Sequence, residues 1–230
     1  MNRKYPEKVT ALMVRVIHND EVLLMRYATE VHFGDSTDLL GVIVMTNPGK
    51  FELKRTHGWD NFKAGGGSVD ILEGIDYPDM TMQNVIEVIR RSYQELGLLE
   101  PSGVLRIYNL SNIRQPDGKQ AELYHERAKL ALPGALVSYL EDPVTHDREK
   151  FIDECHQAKF VIMGFVHETF EDKMQQVISW SKDIKGIVCA MDDKGRFSHP
   201  RRWRTEKELK EKAIVKLKTV LQTSGYCNKI

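Results

Sequence analysis

The chain has 230 residues, 41% of them hydrophobic and 29% charged, with Lys+Arg and Asp+Glu equal at 33 each. That length suits one sizeable core, and the balanced charge supplies no global field to draw nucleic acid or a membrane surface. Three scattered cysteines, Cys155, Cys189 and Cys227, form no Cys-x-x-Cys pair, which argues against a disulfide framework or structural zinc site and fits a reducing compartment. The opening residues carry no secretory pattern and no apolar run reaches the length of a membrane span, so the expected location is cytoplasmic.

In chain order, residues 9–17 read as a buried strand, His18, Asn19 and Asp20 as a turn, and 21–26 as the returning strand of a hairpin. Residues 28–37 are polar and loop-like, 38–45 form another strand, and Asn47-Pro48-Gly49 is a turn across which 51–55 can pair back. Residues 58–63 suit a short strand running into Gly65-Gly66-Gly67, and the segment 68–80 reads as a connecting loop. The clearest helix follows. Met82, Val85, Ile86, Ile89, Tyr93 and Leu96 recur at helical spacing, with Asp79 or Thr81 to cap the start and Gly97 to end it in the left-handed conformation. Beyond it come a strand at 104–110, a turn at Pro116-Asp117-Gly118-Lys119, and an ambiguous helix or strand at 122–132. A short helix at 147–157, a buried strand at 159–166, a helix at 171–181 and a strand at 187–191 lead to a closing helix at 205–221. Strands on both sides of one early helix, with more helix near the end, predict an α+β or mixed-sheet α/β/α sandwich. The alternation is too irregular for a doubly wound parallel fold.

Gly65, Gly66 and Gly67 suit either a tight turn or a ligand loop; a P-loop ending and a dinucleotide fingerprint are both missing. The helix adds Glu87, Arg91, Gln94 and Glu95 on one side. Together these stretches resemble the Nudix hydrolase family, whose box reads Gly-x5-Glu-x7-Arg-Glu-U-x-Glu-Glu-x-Gly-U, with U aliphatic. Gly67 and Glu73 match the opening, and Arg90-Arg91-Ser92-Tyr93-Gln94-Glu95-Leu96-Gly97-Leu98 match the closing block. Trp59 and Lys63-Ala64-Gly65-Gly66 are similar to the Trp-x-x-Pro-Gly-Gly lead-in, with Ala64 for proline. Two departures stand out. The stretch from Glu73 to Arg90 is longer than the family's, so 74–82 reads as an insertion or Glu73 is not the box glutamate. Arg91 and Gln94 replace two glutamates of the helix.

The resemblance implies a Nudix-type mixed sheet over residues 7–193 with a basic C-terminal helical extension at 194–230. It implies a divalent-metal-dependent pyrophosphohydrolase that cleaves a nucleoside diphosphate linked to another moiety, weakened by the lost glutamates. Mg²⁺ or Mn²⁺ would be held by Glu95 and Glu73, with Glu95 and Arg90 in catalytic roles. Gly65, Gly66, Gly67, Arg91, Gln94, Trp59 and Lys63 would contact a nucleotide-type small molecule. Missing carboxylates would come from Glu122 and Glu126 beside His125, or from His167, Glu168, Glu171 and Asp172. The alternative is a catalytically inactive nucleotide-binding or regulatory module. In that case Glu87, Arg91 and Glu95 form an ion-pair ladder at helical spacing, or Arg91 contacts phosphate directly. The basic run at 196–204 is read as a solvated helix face or a homodimer contact; neither nucleic acid nor a membrane is expected as a partner.

Overall fold

A computed structural model describes residues 4–132 and 134–223 of the chain; Cys227 and the last part of the 194–230 extension lie outside them. The elements run β1 (Lys8–His18), β2 (Glu21–Phe33), β3 (Leu39–Met45), α1 (Trp59–Lys63), β4 (Ile71–Asp76), α2 (Met80–Glu95) and β5 (Gly103–Asn109). They continue with α3 (Gly118–Ala131), α4 (Pro143–His146), α5 (Arg148–Gln157), β6 (Val161–Gly164), α6 (Glu171–Trp180), β7 (Ile187–Val188) and α7 (Lys207–Thr223). The seven strands form one mixed sheet in the order β4-β1-β2-β5-β3-β6-β7. The pairs β4–β1, β1–β2 and β2–β5 are antiparallel; β5, β3, β6 and β7 run parallel.

Local chemistry accounts for most of these elements. Asn19 and Asp20 both take positive φ, 49° and 61°, as a two-residue hairpin loop demands and as Asn and Asp tolerate. The side chain of Asp79 accepts the Met82 N–H at 3.0 Å to start α2, and Gly97 ends it at φ 65°.

Helices cover both faces of the sheet. Met13, Leu24, Ile43 and Ile162 pack on one side with α1, α2 and α7, whereas Val14, Met25, Val44 and Met163 pack on the other with α3, α5 and α6. Strand alternation sends neighbouring side chains to opposite layers. Buried Leu209, Ala213, Leu217 and Leu221 make α7 part of the first layer. Among the described residues, no helix is long and apolar enough to cross a membrane.

Four expectations are corrected. Within 58–63, residues 59–63 form helix α1, because Trp59 and Phe62, both buried, lie three apart on one helical side. A strand would have turned them to opposite faces. The connecting loop contains edge strand β4, whose exposed Ile71 and Ile75 alternate with more covered Leu72 and Gly74. Residues 51–55 make no strand. Strand β2 runs on to Phe33: the register shifts between Thr10 and Leu12, and Ala28 sits at φ 47° across from it. That irregularity interrupts the two-residue period, but beyond it Thr29, Val31 and Phe33 are buried while Glu30 and His32 are more exposed. The ambiguous 122–132 segment belongs to helix α3.

Candidate functional site

The polar side of α2 is the first place to look for a metal. Its charges are committed to α7. Arg91 donates Nη1 to Glu211 Oε1 at 2.6 Å and Nη2 to Glu211 Oε2 at 3.0 Å, and Nη2 also reaches Glu95 Oε1 at 3.0 Å. Lys218 Nζ takes the other Glu95 oxygen at 2.9 Å. One turn earlier, Lys210 Nζ binds Glu87 Oε2 at 3.1 Å. The ladder therefore keeps its Arg91–Glu95 rung, while Glu87 turns to α7. Hydrogen bonds from Lys218 and Arg91 hold the Glu95 carboxyl below the usual carboxylate range, and the Glu211 bond raises the Arg91 guanidinium.

A hard divalent cation needs several oxygen ligands. Here a guanidinium already lies between Glu95 and Glu211, so the donor set does not fit Mg²⁺ or Mn²⁺. Glu73 cannot complete it. On β4 it pairs with Leu12, and its neighbour Leu72 packs into the α2 side of the sheet, so Glu73 projects from the opposite face. Among the described residues no group of three or more His, Cys, Asp and Glu is placed to hold a metal ion.

Most of the other residues marked by the sequence have structural partners. Arg90 Nη2 lies 2.8 Å from Glu7 and Nη1 donates to the Lys4 carbonyl, tying the N-terminal segment to α2. Gln94 is exposed and shares an open groove with Arg90, Glu7 and His32. Trp59 is 2% exposed and stacks on Phe62, with Lys63 above its ring, so it offers no free face to a base. Gly65 and Gly66 donate their N–H groups to Phe62 and Asn61 carbonyls at the end of α1. Buried Arg15 gathers the loop's carbonyls, donating to Gly66 O at 2.7 Å and Val69 O at 2.8 Å, and pairs with Asp70 at 2.9 Å. A loop organised around an internal cation presents acceptors inward and leaves few donors for phosphate.

Of the reserve carboxylates, Glu122 accepts the Phe170 N–H ahead of α6, and Glu171 accepts from Gln175. A Ser–His–Glu chain does exist: Ser111 Oγ lies 2.8 Å from His125 Nδ1, and His125 Nε2 lies 3.1 Å from Glu141 Oε1. Ser111 is fully buried and also accepts the Ile113 N–H, so no substrate reaches its oxygen. This chain is internal scaffolding.

A cavity with chemistry in it lies away from the glycine loop and the polar side of α2. It opens at the carboxyl ends of the parallel strands, between Met45 and Asn47 after β3 and Val166 after β6, and holds about 310 Å³. From β3 the chain crosses to β5 by way of α2 on one face, and from β5 to β6 by way of α3 and α5 on the other. Connections that diverge in this way leave a crevice at the strand ends, the usual ligand position in open α/β sheets. The first turn of α2 (Asp79 to Met82), Arg26, Lys50, His199 and Arg201 all line it.

Arg26 is only 2% exposed, and among the described residues its Nε and Nη1 atoms have no hydrogen-bond partner. Asp79 Oδ2 lies 4.0 Å from Nη1, an ion pair without a hydrogen bond. Burial pushes the guanidinium down to about 10, still charged at neutral pH. His199 is pushed down to about 3 by burial and accepts the Arg201 N–H through Nδ1, so it is neutral. One carboxylate therefore faces three cations.

The basic run at 196–204 is largely used within the fold. Arg196 and Arg202 bind Asp192 at 3.0 and 3.1 Å, Arg202 also binds Glu206, and Trp203 is fully buried. Compared with protein-family models, curated proteins and solved structures, the chain matches none.

Proposed function

We propose that this chain is a Nudix-like module that binds an anionic small molecule without hydrolysing it, and that its ligand site is the cavity at the carboxyl ends of the parallel strands. The observation that carries the reading is the position of Arg91. Its guanidinium lies between Glu95 and Glu211, with Lys218 on the remaining Glu95 oxygen. A cation built into the chain there neutralises the carboxylates that a hydrolase of this kind would offer to a metal. The cavity supports the positive half of the reading, since it joins a helix start to an excess of cationic side chains. The nucleotide-type ligand implied by the resemblance falls within this anionic class.

The test is direct. The purified chain, given Mg²⁺ or Mn²⁺ and a panel of nucleoside diphosphate conjugates, should release no mononucleotide. Metal-dependent release that disappears in Glu95→Gln would reverse the proposal in favour of the hydrolase.

A further inference from the structure

We infer that the cavity takes a small molecule with one oxyanionic head, a carboxylate or phosphomonoester, joined to a short aliphatic body, and that the head sits between Arg26 and the first turn of α2. This rests on the cavity being the ligand site and adds the chemistry of what enters it.

Arg26 is the principal observation. A buried charge is normally paired and hydrogen-bonded. Arg26 lines the cavity from β2, and among the described residues its buried Nε and Nη1 have no hydrogen-bond partner. Its one nearby carboxylate cannot serve both atoms: Asp79 stays 4.0 Å away and gives its other oxygen to the Met82 N–H at 3.0 Å. The Arg26 guanidinium carbon also lies 5.5 Å from the Phe51 ring centroid.

The helix start is independent of Arg26. With Asp79 as cap, the N–H groups of Met80 and Thr81 have no acceptor within the helix, and the helix end favours negative charge. Lys50 and Arg201, both exposed, add cations at the rim.

Size and lining define the rest of the ligand. A volume of about 310 Å³ lies at the lower end of the roughly 300–1,000 Å³ of small-molecule sites, too small for a dinucleotide. Met45, Met82, Pro116 and Val166 form the apolar wall. Among the described residues no Phe, Tyr or Trp lines it, so an aliphatic chain fits better than a stacked base.

The experiment titrates the full chain with hexanoate, butyl phosphate, inorganic phosphate and uncharged hexanamide. Affinity is read by calorimetry and position by methionine methyl resonances. The expected result is binding of hexanoate and butyl phosphate, with shifts at Met45, Met80 and Met82, and hexanamide at least tenfold weaker. Affinity should rise about fourfold per methylene along a carboxylate series until the cavity is full. Arg26→Met should weaken both oxyanions at least tenfold and leave hexanamide unchanged. A double variant, Lys50→Ala with Arg201→Ala, alters only the rim, so its readout does not depend on the core tolerating the Arg26 substitution; it should weaken butyl phosphate more than hexanoate. Equal binding of hexanoate and hexanamide, or oxyanion affinity untouched by both variants, overturns the inference but keeps the cavity as a site. Absence of any shift at the three methionines with every probe overturns both.

Discussion

Arg91 and Glu211, 120 residues apart, meet in a two-pronged pair in which both terminal guanidinium nitrogens find a carboxylate oxygen, at 2.6 and 3.0 Å. The pair fixes α7 along the polar side of α2, and Lys210–Glu87 and Lys218–Glu95 repeat the contact on either side of it. Arg91 thereby cross-links two helices through their charged sides.

These contacts are partly exposed and should act as a modest, salt-sensitive staple. Glu211→Gln is expected to lower stability by less than about 1 kcal/mol at low ionic strength, with the difference shrinking as sodium chloride screens the pair. Urea denaturation at two salt concentrations measures both. A salt-independent loss of several kcal/mol would mean that the pair is buried in solution.

Arg15 should matter far more. It is 4% exposed and is the common donor to the carbonyls of Phe62, Gly66 and Val69. Arg15→Met would remove this donor from the Gly66 and Val69 oxygens and leave the Phe62 oxygen only the Gly65 N–H, at a cost of about 3 kcal/mol or more, and should speed hydrogen exchange at the 65–67 amides. Exchange unchanged in the variant would show that the loop holds its shape without the guanidinium.

Acid should destabilise the fold through its histidines. Burial pushes His125 down to about 4, and His146 and His199 are lowered in the same way. The unfolded chain then takes up protons from about pH 6.5 downward while the folded chain does not, so stability falls as pH falls towards 4. Asp142, raised to about 6 by burial, acts in the opposite direction over the same range and offsets part of the loss. His125→Gln should flatten the slope by up to about 1.4 kcal/mol per pH unit. Denaturation midpoints between pH 7 and pH 4 give the comparison; parallel curves would show that His125 titrates alike in both states.

Gly164 tests the packing at the end of β6. A Cβ built there would lie 2.6 Å from the Ser198 backbone oxygen and 2.7 Å from Pro200 Cδ, and neither neighbour is the far end of a flexible chain. Gly164→Ala should therefore cost about 1–3 kcal/mol and disturb His199 and Arg201 beside the cavity. Thermal denaturation together with hexanoate affinity would register both effects; an unperturbed melting temperature would mean that the 198–200 segment moves freely.

The hairpin turn at Asn19 and Asp20, the apolar stripe of α2 and its end at Gly97 were legible because each depends on residues within a turn or two of one another. The strand in 71–76 was hidden because an edge strand with exposed Ile71 and Ile75 lacks the clean alternation of a half-buried one. Helix α1 was misread because five residues hold too little of either period. Arg26 carries no local signal for a similar reason: it stands at the end of the apolar run 22–25, where an exposed charge is ordinary. The continuation of β2 to Phe33 places it inside the protein.

The sequence by itself determined the hairpin turn at Asn19 and Asp20, the apolar stripe and ends of α2, and that Arg91 could reach Glu95 one turn away, since hydrophobic periodicity, caps and i,i+4 spacing act over short distances. Only the tertiary structure decided which charges stay paired and which cation is left without an acceptor. Glu211 and Lys218 come to α2 from the last helix, and Arg26, Lys50, Asp79 and Arg201 come together from four separate segments. Electrostatic partners are set by proximity in space and by the water that burial removes, and neither is written in the local order of residues.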